Sequence, residues 1–187
     1  MNRILKLLII SDIFIWSGMG LISPILAIFI NDNLIGGSIQ AAGIASAIYL
    51  ITHALLQILF SYKFNAEDRR WMLWVGTFFI VSTPFGYMFS THIYHIYLVQ
   101  LVYGVGAAFA YPSWFSLFGA HQEKGQRGFQ WSIYNSSVSI GAAITAAAGA
   151  FVAEAFGFKT TFLLTGACAF IGLLILFGLD KKCLKKT

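Results

Sequence analysis

Residues 4–30 read ILKLLIISDIFIWSGMGLISPILAIFI, 27 residues with one basic side chain, Lys6, and one acid, Asp12. A helix that crosses the hydrocarbon core needs about 20 mostly apolar residues. The apolar region of a secretory signal is only about 7–15 residues and ends at small residues. This stretch runs well past that length, so it predicts a retained first spanning helix. Membrane β-barrels alternate apolar and polar residues in segments of about ten. Here Leu, Ile, Phe and Gly follow one another without alternation, and the element reads as a helix.

Five further stretches repeat the pattern, at 39–61, 71–90, 93–118, 129–156 and 160–179. The remaining pieces are too short for an extramembrane domain. The expected fold class is an all-α membrane protein, a single domain over 1–187 with six transmembrane helices. Composition agrees: 58% of residues are hydrophobic and 10% charged, against about 25% charged in soluble domains. Any function must lie between the helices or on short loops.

A net charge of +5 would suggest nucleic acid as a partner for a soluble chain. Here eleven of the twelve Lys and Arg residues fall at the chain ends or in the second and fourth loops, leaving only Lys159 in the others. That is the positive-inside distribution, and it predicts cytoplasmic N- and C-termini in a bacterial-type inner membrane. The lipid bilayer, not nucleic acid, explains the charge. Cys168 and Cys183 make no disulfide framework, and no cofactor or metal site is expected.

Polar side chains within hydrocarbon are costly and normally face protein or a water-filled cavity. The third and sixth spans hold little beyond Ser, Thr, Tyr87 and Cys168, so they are expected to face lipid. The other four carry Asp12, His53, Gln57, Gln100 and Asn135, with most of the interior Tyr and Trp. At 100° per residue, Asp12, Trp16, Met19 and Ser23 share one face of the first helix. Ser46, Tyr49, His53 and Gln57 share a face of the second, and Gln100, Tyr103, Tyr111 and Trp114 a face of the fourth. Trp131, Tyr134 and Asn135 open the fifth. Converging stripes of aromatic and amide groups predict a substrate cavity for a small-molecule solute. Asp12 and His53 each lie roughly 12 Å inside the cytoplasmic boundary at 1.5 Å per residue. They are the proton-coupling candidates, and their equal depth on successive helices suggests a pair.

The fifth helix repeats Ser137, Gly141, Thr145 and Gly149 every four residues. Such small-residue ridges let helix backbones approach closely. The ridge marks a helix-packing interface, with either another helix of the chain or a second copy as partner. Pro24, Pro84 and Pro112 fall inside spans, where proline bends a helix. Gly18, Gly20 and Pro24 in the first span parallel Gly104, Gly106 and Pro112 in the fourth, as in a 3+3 inverted repeat.

Residues 61–70, Ser-Tyr-Lys-Phe-Asn-Ala-Glu-Asp-Arg-Arg, and 100–108, Gln-Leu-Val-Tyr-Gly-Val-Gly-Ala-Ala, carry a family likeness. The chain resembles one six-helix half of a major facilitator superfamily transporter. The first motif corresponds to that family's cytoplasmic loop motif, with Asp68, Arg69 and Arg70 its surviving charges. The second keeps the packing glycines but has Gln100 where the family has arginine. Thr145-Ala146 and Gly149-Ala150 stand where the antiporters carry Gly-Pro and Gly-Gly.

The resemblance implies an MFS-like 3+3 half bundle whose first and fourth helices line the cavity. It implies that the second and fifth helices meet another half, while the third and sixth face lipid. It implies transport of a small organic solute by alternating access. Both halves of such a transporter share one topology, so a parallel homodimer could supply them, as could a pair with another six-helix half. The alternative is a non-transporting scaffold or accessory half that needs a partner chain. Enzymatic readings fail: Asp12 is the only acid deep in a span, and no span holds a Gly-x-Ser nucleophile motif.

Overall fold

The computed structural model describes residues 2–64 and 70–179. Seven helices follow in order: α1 (Arg3–Ile22), α2 (Leu26–Asn33), α3 (Ile39–Phe64), α4 (Arg70–Met88), α5 (Ile93–Ala120), α6 (Arg127–Phe156) and α7 (Phe158–Phe177). The first long apolar stretch is thus two helices. Pro24 has no N–H to donate and its ring crowds the carbonyl four residues back. The chain turns at Ser23–Ile25 instead, with the Ile25 amide donating to the Ile22 carbonyl at 3.0 Å. Pro84 and Pro112, by contrast, sit inside α4 and α5 without interrupting them.

Five segments are long and apolar enough to cross a membrane: Arg3–Asn33, which unites α1 and α2, and helices α3, α5, α6 and α7. The 19-residue α4, diluted by two tryptophans, Thr77, Ser82, Thr83 and Pro84, falls outside that set. It packs between α5 and α7 nonetheless. The tightest approaches run through glycine. Gly76 of α4 meets the backbone of Gly106 and Ala110 on α5, and Gly18 of α1 meets Thr165 and Ala169 on α7. Gly157, at φ 83°, makes the direct turn from α6 into α7, in a left-handed conformation that favours glycine.

In a medium without water a hydroxyl left unpaired is costly. Most find a partner on their own helix: Thr83 Oγ1 donates to the Phe79 carbonyl, Thr165 Oγ1 to Thr161 and Ser90 Oγ to Gly86. Ser11 is an exception, its buried Oγ donating across to the Gly172 carbonyl of α7 at 2.8 Å. Interhelical bonds of this kind average about 0.6 kcal/mol in membrane proteins. Ser11→Ala should lower the unfolding free energy by about that amount in a denaturing-detergent titration. A loss of several kcal/mol would mean that the bond organises the whole α1–α7 contact.

Burial divides the spans unevenly. About half of α4 is buried, including Thr77, Ile80, Thr83 and Tyr87, and α7 buries a full stripe from Thr161 to Leu176. The bare helices are α3 and α6, whose spanning windows are each only 6% buried, against 44–50% for α1, α5 and α7. Helices α4 and α7, expected to face lipid, bury one face in the bundle and keep large apolar side chains exposed on the other, among them Phe78, Leu164, Phe170 and Phe177. Helices α3 and α6 each present one face to the bundle, and among the described residues no helix covers the other.

Candidate functional site

Two chambers lie between the helices and share Trp16, Met19 and Tyr103 in their walls. The smaller, about 90 Å³, is bounded by Asp12, Trp16, Tyr111, Trp114 and Tyr134, with Leu73, Thr77 and Ile80 from α4. The larger, about 440 Å³, is bounded by Trp16, Met19 and Ser23 of the first segment, Ser46 and Tyr49 of α3, Gln100 and Tyr103 of α5, Tyr87 of α4 and Ala142 of α6.

Asp12 sits in the middle of α1, and its Oδ2 accepts a hydrogen bond from the Tyr134 hydroxyl at 2.7 Å. No Lys or Arg among the described residues pairs with it. The expected Asp12–His53 pair is not made. His53 lies on α3 with its ring stacked on Tyr49 (centroids 5.9 Å, planes 9° apart) and edge-on to Tyr111 at 4.9 Å. The physical reason is lateral. Equal depth brings two residues together only if their helices touch, and α3 packs on α5 while α1 packs on α6 and α7. Tyr111 of α5 lines the Asp12 chamber and touches His53, so it stands between the two groups.

The aromatic residues form a continuous wall. Tyr49 and Tyr103 stack at 4.3 Å and 16°, and Trp16 lies 6.1 Å from Tyr111. Several polar atoms in this wall are buried without a hydrogen-bond partner: Gln100 Oε1, Tyr111 Oη, Trp114 Nε1 and His53 Nε2, together with Ser113 Oγ. Buried polar atoms are normally paired with protein or ordered water, so this concentration singles the wall out as a polar stretch of the bundle interior.

The other expected positions are not all in the chambers. Trp131 packs on Phe118 at 4.6 Å and borders neither cavity. Gln57 is half-buried one turn beyond His53 on α3, and Asn135 is exposed on α6; neither lines a chamber. Four lining residues, Leu73, Thr77, Ile80 and Tyr87, come from α4, which sequence reasoning had sent to the lipid. Their signal was present: positions 73, 77, 80, 84 and 87 make one helical face, and it is the buried one.

The small-residue ridge of α6 meets α1 of the same chain. A methyl group on Gly149 would overlap the Leu21 backbone, and one on Gly141 would overlap the Ser17 hydroxyl. Thr145 reaches Gly20 from the other side, and its own hydroxyl donates to the Gly141 carbonyl at 2.9 Å. Ser137 lies half-buried at the start of the ridge. Of the two partners left open for this ridge, the structure thus places α1 on it.

Of the loop motif, Asp68 and Arg69 lie outside the described residues, as does the tail with Cys183. Arg70 opens α4, and its guanidinium donates to the Leu179 carbonyl at 3.2 Å, beside the Trp74 indole, which donates to Leu176. A cation on the last carbonyls of α7 is favourably placed against that helix's dipole.

The sequence matches the Major Facilitator Superfamily over residues 8–186. It is 26% identical over 157 residues to an uncharacterized MFS-type transporter of Methanocaldococcus jannaschii, covering 84% of this chain and 39% of that protein. It is 28% identical over 162 residues to the multi-drug resistance efflux pump PmrA of Streptococcus pneumoniae, covering 85% of this chain and 40% of PmrA. The chain therefore spans about two-fifths of the length of the curated relatives it matches. The fold superimposes on the crystal structure of the POT family transporter PepTSo with a TM-score of 0.77 over 95% of this chain and 37% of that one, at 15% identity. With a match over nearly its whole length and a shared helical arrangement, this chain belongs to the Major Facilitator Superfamily.

Proposed function

We propose that the chain acts as one half of a secondary transporter and moves a small organic solute by alternating access. The second half is another copy of this chain, arranged in parallel, or another six-helix half. It docks on the bare faces of α3 and α6. The observation that carries this reading is the larger chamber. Its walls include Ser46 and Tyr49 of α3 and Ala142 of α6, the two helices the chain leaves uncovered. A second half placed there would close the chamber into a central cavity.

Counting α1 with α2 as one crossing and α4 as another gives six crossings. The positive-inside distribution then supports both ends on the cytoplasmic side. Asp12 is the proposed proton-coupling group, since it is the one carboxylate placed within the chamber walls. Kinship with a protein named as a multi-drug efflux pump supports an organic solute and outward movement. The scaffold reading has support of its own in Gln100, which replaces the family's arginine.

Native mass spectrometry of the chain in lipid nanodiscs tests the pairing. A dimer is the expected dominant species. Gly43 on α3 has nothing within 4 Å of where a Cβ would stand, so Gly43→Leu leaves the single bundle intact. The same substitution is expected to shift the dimer toward monomer. A wild-type monomer that also moves no solute in proteoliposomes would sink the transport reading and leave the accessory half.

A further inference from the structure

We infer that the chambers form a seat for an organic cation: a protonated amine or quaternary ammonium held at Asp12, its apolar body among the rings of Trp16, Tyr103 and Tyr111. Its use in transport rests on the function proposed above, whereas the chemistry of the seat stands by itself.

Charge comes first. Asp12 is the one acid placed away from helix ends within the spanning segments, and no Lys or Arg accompanies it there. An ionised carboxylate offers about four lone-pair sites, and the neutral donors that reach it are the Tyr134 hydroxyl and the Trp16 indole. In surroundings this apolar a carboxylate ordinarily has a cationic or hydrogen-bonding partner. The chamber supplies two neutral donors and no cation, so it is complementary to a cation from outside. A carboxylate or phosphate solute would meet Asp12 with no basic side chain to offset the repulsion.

The unpartnered atoms point the same way. Gln100 Oε1, on the larger chamber, only accepts, Tyr111 Oη, on the smaller, can accept, and both are buried without a partner. Trp114 Nε1 is the lone obligatory donor among them. The wall therefore presents a surplus of acceptors, which suits a ligand that brings N–H donors. The rings complete the seat. Aromatic faces attract cations lying within about 6 Å of their centroids, and closely spaced rings around one void are how quaternary ammonium groups are held. Trp16 and Tyr111 are 6.1 Å apart, and Tyr103 stacks on Tyr49 at 4.3 Å. Trp16, Met19 and Tyr103 border both chambers, so one ligand can place its charge in the smaller and its body in the larger.

Three probes of similar shape separate charge from shape: benzyltrimethylammonium, its neutral isostere neopentylbenzene and the anion phenylmethanesulfonate. Each is titrated into the full chain in nanodiscs, reading tryptophan fluorescence, because Trp16 and Trp114 line the seat. The ammonium should bind saturably, and the other two should bind weaker by roughly tenfold or more. Asp12→Asn should cost the ammonium roughly tenfold, while Asp12→Glu keeps it within a few-fold. Equal binding of the neutral isostere would overturn the cation seat, as would ammonium binding indifferent to Asp12→Asn. The probe comparison uses the unaltered protein, so it decides even if the Asn variant fails to fold. Asp12-dependent binding without movement in proteoliposomes would remove the transport reading and leave the seat. Movement of a neutral glycoside without ammonium binding would do the reverse.

Discussion

Gly149→Leu should leave almost no correctly packed protein after extraction into detergent. The α1–α6 contact is parallel and close. Gly149 lies against the Leu21 backbone, Gly141 against the Ser17 hydroxyl and Gly20 against Thr145 and Ala142. A leucine at 149 cannot turn its Cβ away, because the atom it overlaps is main chain rather than the end of a flexible side chain. Overpacking a core ordinarily costs about 1–3 kcal/mol through shifted rotamers. Here α1 itself must move, taking Asp12 from Tyr134 and Ser11 from Gly172, so the cost should exceed that range. Leucine is as lipid-soluble as a side chain can be, so membrane insertion should be normal and only helix association should fail. Size-exclusion profiles and the detergent-denaturation midpoint report that difference, with Gly119→Leu, where a Cβ meets nothing within 4 Å, as the matched control. If the Gly149 variant behaves like wild type, the α1–α6 seam is not where the structure puts it.

The second large effect concerns function. In proteoliposomes with an imposed pH gradient, Asp12→Asn is expected to abolish accumulation of a transported solute. Each pH unit supplies about 1.4 kcal/mol per proton, a tenfold concentration ratio for one-to-one coupling. The variant should therefore equilibrate solute without concentrating it. Asparagine keeps an oxygen that can accept from Tyr134, so the α1–α6 contact survives and the protein stays folded. Solute exchange without a gradient distinguishes lost coupling from lost binding, and the same variant's ammonium affinity says whether the two share one residue. Accumulation that tracks the pH gradient as in wild type would take Asp12 out of the coupling.

How far the sequence went depended on the kind of signal. Apolar runs are long-range and redundant, so the helical membrane architecture was readable from residues 4–30 onward. Pro24 was equally plain, because a missing amide is a local fact. Lateral neighbours were another matter. Asp12 and His53 share a depth, which the rise per residue gives, but not a helix contact, which it does not. Tyr134 lies on the first turns of α6, in a stripe the sequence showed, yet nothing along the chain paired it with Asp12. The α4 face through Thr77, Ile80 and Tyr87 was visible as a stripe and was discounted because its residues are only mildly polar. Glycine spacing on α6 announced a close contact without naming the helix that makes it. Depth and periodicity are one-dimensional quantities, and the chambers are set by which helices touch.

The order of those contacts bears on how the chain is made. The partners of α1 leave the ribosome long after it: Asp12 waits for Tyr134, 122 residues later, and Ser11 for Gly172, 161 residues later. At ordinary rates of synthesis, about 5–20 residues per second, that interval is on the order of ten seconds. For that time a helix with a carboxylate at its centre lacks α6 and α7, the two helices it packs on most. The insertion machinery, or a chaperone beside it, must shelter that first helix until α6 and α7 arrive. Slowing translation after α5 should therefore raise degradation of the nascent protein more than an equal pause before α3.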